Sequence, residues 1–429
     1  MSAAGIVITA AIALAAYTYV GYPLILLALA RVRGSRGART RPGSGPDLRR
    51  DAAPRAHAAA RARATSDAHT PVADDPDAAW PRITITVPVY KEAAQIRDTL
   101  ESLLAIDYPP DRRQILIVSD ASTDDTDRIV MEFAGRGVEL FRLPERRGKT
   151  AAENAAIPRL TGEIIVNTDA SIRVHPDAVK RLVAAFADPT VGVASGRDIS
   201  VGAGPDRHGN AGESRYVGYE MWVRGLETRV GGIVGASGCL YAAHRSVHAI
   251  AIPEGASRDF AAVLHARRNG FRAVSVDDAV CYVPRTSSHR REYRRKVRTM
   301  AQGLETLRLG RALLDPFRFG LFAWMLASHK LCRWLVPWAA VAALVALATA
   351  APSSPAARIL LVLAGIASAA AFVGWNWPET RPMPRILALP LFAWLANVAA
   401  LHAWFRVVAG RVEPAWEPTR RYQSAHEPG

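Results

Sequence analysis

Two carboxylates in this 429-residue chain each stand directly behind a run of aliphatic side chains: Asp120 follows QILIVS and Asp169 follows EIIVNT. Runs of this length and composition read as short buried strands. In an open α/β sheet the carboxyl ends of the strands form the rim where ligands bind. An acid fixed there can accept a hydrogen bond from a base or ribose, or offer a hard oxygen to a divalent cation. The same residue can also cap a turn or the helix that follows. Pro176 and Asp177 open a helical pattern after Asp169, and Ser122 and Asp125 have capping-box spacing after Asp120. Two acids on one rim are harder to explain as caps than either acid alone.

The elements that must hold these acids alternate strand and helix from Ile83 onward. ITITVPV is a strand, and the segment after it places Ile96, Leu100, Leu103 and Leu104 on one helical face. QILIVSD, VELFRL and EIIVNT follow as strands separated by helical patterns. Alternation of this kind predicts an α/β domain whose mostly parallel sheet is covered on both faces, a nucleotide-binding type of architecture. RRGKT is not a phosphate loop of the Walker type, because Leu143 occupies the position that would need a glycine. The first strand is followed by no GxGxxG either.

The formal net charge is +15, with the excess concentrated in Arg31 to Arg63 and Arg285 to Arg318. No recognition module accompanies these clusters, so nucleic acid is not an expected partner. They flank apolar runs instead. Ile6 to Ala30, Leu335 to Ala350, Ile359 to Trp375 and Ile386 to Val408 read as one N-terminal and about three C-terminal transmembrane helices. The arginines after the first run place the soluble part in the cytosol and the protein in the cytoplasmic membrane. Four spans would put the C-terminus outside, whereas Arg406, Arg411, Arg420 and Arg421 favour inside; an interfacial segment near 317–327 is one resolution. Cys239, Cys281 and Cys332 are isolated, which fits a reducing compartment. The expected division is a membrane helix over 1–30, a disordered basic linker over 31–79 and a cytosolic domain over 80–314. An interfacial segment with the C-terminal membrane helices then fills 315–410, and a tail 411–429.

In order, VPVYKE, IVSDASTDDT, RRGKTAAENAA, NTDAS, GASGCLYAAHR, SRDF and RRKVRT resemble the motifs of the membrane-bound inverting glycosyltransferases of family 2. That group has the GT-A fold and includes cellulose, hyaluronan, chitin-oligosaccharide and poly-N-acetylglucosamine synthases. The resemblance implies a nucleotide-sugar donor, UDP-linked in the first instance, and a saccharide or polyprenyl-type lipid-linked acceptor. It places Pro88, Tyr90 and Glu92 in the turn that holds the nucleotide, Asp120 at the uracil or ribose, and Lys149 at phosphate. A lysine at a helix start can equally be solvated, and Asp120 can equally be a cap. Asp169 matches the first acid of the family's Asp-x-Asp, which binds the diphosphate through Mg2+ or Mn2+; Ser171 stands where the second acid usually is. Asp259 matches the general base, with Asp277 and Asp278 as its rivals. Arg258 replaces the acid that usually precedes the base and sets a cation beside it. Arg295 and Arg298 lie three apart on one helical face, Arg298 matching the arginine of the family's Gln-x-x-Arg-Trp and Arg295 and Thr299 replacing its glutamine and tryptophan. They imply contact with the leaving diphosphate, or with anionic lipid. Loss of the tryptophan argues against synthesis of a long polymer. Gly238 and Tyr241 are implied on the acceptor side. The competing reading is a catalytically silent, membrane-tethered sugar- or nucleotide-binding paralogue, consistent with Ser171 and Arg258.

Overall fold

The structure, a computed structural model, describes residues 2–37, 80–201, 211–284, 288–378, 381 and 383–412. Most of the expected linker and the tail from 413 lie outside the described residues. Residues 31–37, expected to begin the linker, are instead helical, since the second part of the N-terminal helix runs Tyr22–Gly37.

Among the described residues, eight strands form one sheet: β1 Ile83–Val89, β2 Arg113–Ser119, β3 Val138–Arg142, β4 Ile164–Thr168, β5 Arg173–Val174, β6 Val191–Val201, β7 Leu240–His244 and β8 Arg272–Pro284. Their spatial order is β3-β2-β1-β4-β7-β6-β8-β5. β1 to β4 pair in parallel, as do β6 and β8; β7 runs antiparallel between β4 and β6, and β5 antiparallel to β8. The sheet is therefore mostly parallel, as its sequence pattern predicts. Every residue of β1 and β4 is buried, because helices cover both faces. The helix Ile96–Leu104 turns Ile96, Thr99, Leu100 and Leu103 inward onto one face, while Leu143, Ala152, Ala156 and Leu160 pack with Leu116, Val118 and Ile165 on the other. Each fully buried aliphatic side chain contributes about 1.5–3 kcal/mol. Where the edge of β1 passes Gly162, a Cβ on that glycine would lie 2.3 Å from Thr84 N, so no side chain fits there.

Among the described residues, four helical stretches are long and apolar enough to cross a bilayer: Ala3–Arg33, Pro316–Ala350, Pro355–Trp375 and Arg385–Val408. The first two are built into the soluble domain. Tyr22 and Leu26 are buried with Val223, Leu226 and Val230 of the helix Ala211–Val230 and with Phe322, Met325 and Leu326. Tyr17 Oη lies 2.7 Å from Ser328 Oγ and accepts from Trp324 Nε1 at 3.0 Å. Beneath them, the fully buried Glu227 accepts from Tyr22 Oη at 2.5 Å and lies 2.6 Å from His329 Nδ1. His329 Nε2 lies 3.0 Å from Glu220, which also pairs with Arg333 at 2.7 Å. Buried charges are retained where they are paired in this way.

Candidate active site

β1 and β2 end side by side, Val89 opposite Ser119. Both chains then turn sharply: Lys91 and Ala121 each adopt φ 54°, a left-handed conformation that residues with side chains rarely enter. Such conformations cost on the order of 1–3 kcal/mol each and persist where the surroundings over-determine them. Here Lys91 N donates to Ser122 Oγ (3.3 Å), Glu92 N to Thr126 Oγ1 (2.8 Å) and Ala93 N to Asp124 Oδ2 (3.2 Å). The two strand-end loops are thereby sewn into one rim. Glu92 is buried and accepts from Gln95 Nε2, so it braces this loop. Tyr90 is covered by Arg146, whose guanidinium carbon lies 3.9 Å from the ring centroid. Pro88 is tolerated inside β1 because the ladder to β4 stops at Thr86, leaving no bond for its missing N–H to break.

Asp120 is 1% exposed, and its two carboxylate oxygens accept from Arg147 N and Gly148 N, each at 2.8 Å. It clamps the loop ahead of Lys149 onto the end of β2. Gly148, at φ 99°, supplies the left-handed turn this clamp requires. Lys149 opens the next helix, Lys149–Ala156, and its Nζ lies 2.5 Å from Asp169 Oδ1. Burial opposes the charge on Lys149, but Asp169, Glu153 and Asp259 outweigh it and hold the ammonium above its ordinary value.

Asp169 and the distant Asp259 flank one turn. β4 ends at Thr168, opposite Leu240 of β7, and Thr168 Oγ1 donates to Cys239 O at 2.8 Å, which sets the turn at Gly238 and Cys239 beside Asp169. On the other side of that turn, a Cβ on Gly238 would lie 3.3 Å from Asp259 Oδ2. Asp259 sits in the first turn of the helix Arg258–Arg268 and accepts from Ser257 Oγ; Ser257 N is tied to Thr306 Oγ1 at 2.8 Å. The rivals are elsewhere: Asp277 and Asp278 are exposed on β8, Asp278 pairing with Arg181 at 3.7 Å.

Arg258 does not stand as a cation beside Asp259. It is buried and turned away, with Nε 3.3 Å from Glu153 Oε2, Nη1 donating to His248 O at 3.1 Å, and Nη2 donating to Asn154 Oδ1. Burial raises Glu153, and Asp169 and Asp259 add to the rise while Lys149 and Arg258 oppose it; the carboxyl stays above its ordinary range. Burial, aided by Arg258, pushes His248 down to about 3, so the ring is neutral. Tyr241, expected toward an acceptor, is 2% exposed, and its hydroxyl is buried without a hydrogen-bond partner among the described residues. Burial first, then Glu153, Asp259 and Asp169, push this hydroxyl well up. Arg295 is held bidentately by Glu292 at 2.9 and 2.6 Å on the helix His289–Leu309; Arg298 follows on the same face of that helix. Sequence reasoning missed Glu153, Asn154, Arg146 and His248; of these, only the acid inside KTAAEN was a visible anomaly in an otherwise small, neutral stretch.

Among the described residues no three His, Cys, Asp or Glu side chains converge as a metal cage. Asp169 keeps 26% of its side chain exposed at the rim, and with Ser171 two residues on it would be the residue to offer a hard oxygen to such a cation. Magnesium and manganese commonly take one or two carboxylates and complete their shell with water and phosphate oxygens.

Residues 84–244 match the model of glycosyl transferase family 2. The chain carries a family 2 glycosyl transferase domain. That domain is 33% identical over 134 residues to an N-acetylglucosaminyltransferase of Mesorhizobium japonicum, covering 30% of this chain and 31% of the relative. It is 30% identical over 116 residues to the poly-beta-1,6-N-acetyl-D-glucosamine synthase of Staphylococcus epidermidis, covering 27% and 28%. It is 32% identical over 117 residues to a beta-monoglucosyldiacylglycerol synthase of Synechocystis, covering 26% and 24%. The matched segment thus spans about a third or less of the length of these curated relatives. A mannosyltransferase of Pyrobaculum calidifontis, solved in complex with GDP-Man and Mn2+, shares the fold at TM-score 0.64 and 24% identity, over 94% of this chain and 99% of that one. The fold of this chain is therefore shared, nearly end to end, with that structure.

Proposed function

We propose that the protein is a membrane glycosyltransferase that moves a sugar, with inversion, from a nucleotide-sugar to a saccharide or lipid-linked acceptor. The observation that carries this reading is the placement of Asp169 and Asp259 on either side of the Gly238–Cys239 turn. An inverting transfer needs one side where positive charge neutralises the departing diphosphate and another where a base takes the acceptor hydroxyl's proton. Asp259 takes that proton as the hydroxyl oxygen attacks the anomeric carbon, and the bond from that carbon to the diphosphate breaks. Lys149 is charged and 2.5 Å from Asp169, so its ammonium can pass to a diphosphate oxygen without leaving its carboxylate. Asp169 and Ser171 would hold Mg2+ or Mn2+, which when bound neutralises charge on the diphosphate. The rim around Tyr90, Arg146 and Asp120 is the side assigned to the nucleotide, and Arg298 is assigned to the diphosphate.

Relatives bearing N-acetylglucosaminyl, glucosyl and mannosyl names leave the donor to experiment. The test is nucleoside diphosphate release by the purified protein in nanodiscs, over UDP-sugars and GDP-mannose, with Mg2+ or Mn2+ and with chelator. Turnover confined to one donor and lost on chelation supports the proposal. Metal-dependent donor binding without turnover on any supplied acceptor favours the silent paralogue.

A further inference from the structure

The helix His289–Leu309 carries its charge unevenly. Glu292 accepts from Arg295 at 2.9 and 2.6 Å and pairs with Lys296 at 3.3 Å, and Glu305 pairs with Arg308 at 2.6 Å. Arg290, Arg291 and Arg294, by contrast, have no carboxylate partner among the described residues. On a helix these three lie within about 100° of one another, on the face adjoining the one that Glu292 neutralises. Like charges this close repel one another, and no acid of the described chain offsets them.

The same three arginines line a cavity of 480 Å³ together with Trp375, Asn376 and Trp377. Ligand sites commonly have volumes of about 300–1,000 Å³. Arg290 lies over the Trp375 ring, its guanidinium carbon 5.5 Å from the centroid, and Tyr293 packs edge-on against that ring at 5.9 Å. Aromatic packing thus fixes one wall of the cavity. Trp377 Nε1 is buried and has no hydrogen-bond partner among the described residues, so the chain itself does not supply the acceptor for this donor.

Trp375 closes the apolar helix Pro355–Trp375, one of the stretches long enough to cross a bilayer, and Trp377 lies two residues beyond it. Tryptophans at the end of a span mark the level of the lipid headgroups. The cavity is separate from the catalytic centre. Thr306, which holds Ser257 beside Asp259, lies about 18 Å from Arg294 and about 24 Å from Arg290 along the same helix. Guanidinium groups bind phosphate oxygens in bidentate fashion, and basic pockets at the cytoplasmic ends of spans suit anionic headgroups.

We propose that Arg290, Arg291 and Arg294, with Trp375 and Trp377, form a binding site for the phosphate headgroup of an anionic membrane lipid, distinct from the sites for donor and acceptor. A bound headgroup offsets the crowded positive charge and ties the end of Pro355–Trp375 to the helix that carries Arg298 and, through Thr306, the residues before Asp259. The site takes lipid whether or not a sugar is transferred.

The test is native mass spectrometry of the full chain released from micelles holding equal amounts of phosphatidylglycerol and phosphatidylcholine. Wild type is expected to retain phosphatidylglycerol in preference to phosphatidylcholine, and Arg290→Gln, Arg291→Gln and Arg294→Gln combined lowers that preference at least about tenfold. A control removes the same charge elsewhere, with Arg31, Arg311 and Arg318, all exposed beside other spans, changed to glutamine; it keeps the preference. Equal retention of the two lipids by wild type, or equal loss in the control, overturns the proposal. Excess inorganic phosphate is expected to leave the retained lipid in place; its displacement assigns the cavity to a soluble anion and overturns the lipid assignment. Should the triple variant fail to accumulate, Arg291→Gln and Arg294→Gln are measured singly, and single variants as selective as wild type overturn the proposal.

Discussion

Replacing Arg258 with glutamine removes the cation that pairs with the buried Glu153 and also removes donors to His248 O and Asn154 Oδ1. Both charged side chains are nearly sealed, 5% and 3% exposed, so solvent cannot compensate. Removing one member of such a pair costs about 3–5 kcal/mol, which for a unit of this size lowers Tm by about 6–20 °C. Thermal unfolding followed by tryptophan fluorescence in nanodiscs at a fixed scan rate reads the shift. The partner variant distinguishes ion pairing from packing. Glu153→Leu combined with Arg258→Leu removes both charges, and it recovers most of the loss. The pH dependence has a defined sign. Glu153 already sits above its ordinary range, and loss of a neighbouring positive charge raises it further. A carboxyl whose folded value exceeds its unfolded value lowers stability progressively as pH climbs from the unfolded value through the folded one. The Arg258→Gln deficit is therefore smaller at about pH 5 than at neutral pH. A single variant within about 1 °C of wild type, or a double variant no better than the single, would refute the reasoning.

Further outcomes follow from the same geometry. Asp120→Ala frees the amides of Arg147 and Gly148, so donor KM rises at least about tenfold while kcat changes less, as read in donor titrations of nucleotide release. Lys149→Met leaves Asp169 unpaired in the free protein; nucleoside diphosphate affinity drops about tenfold or more by calorimetry, and an unchanged affinity would remove Lys149 from the donor site. Gly162→Ala forces a Cβ against Thr84 N, and the variant fails to accumulate in membranes or unfolds at least about 2 kcal/mol more easily. Removal of divalent cation by chelation abolishes turnover, and added Mn2+ restores it.

The four parallel strands and the two rim acids were legible because β-branched runs, turn residues and helix periodicity agree from Ile83 to Thr168. What the sequence left open were contacts between residues far apart in the chain. Arg258 reads as a neighbour of Asp259, yet its partners are Glu153 and Asn154, more than a hundred residues earlier. Tyr241 is expected on the acceptor side, whereas pairing with Asn167 in β7 leaves it buried. Gly235 gains its meaning from Lys330 on a distant apolar helix, whose Nζ would lie 3.0 Å from a Cβ there.

The most direct test of the account is Asp259→Asn, measured beside wild type for donor turnover and for nucleotide-sugar binding in the same nanodisc preparation. A general base at this position predicts turnover reduced by about 10²–10⁴-fold with donor affinity within a few-fold of wild type. Turnover near wild type would contradict the assignment of Asp259 and, with it, the two-carboxylate site around the Gly238–Cys239 turn.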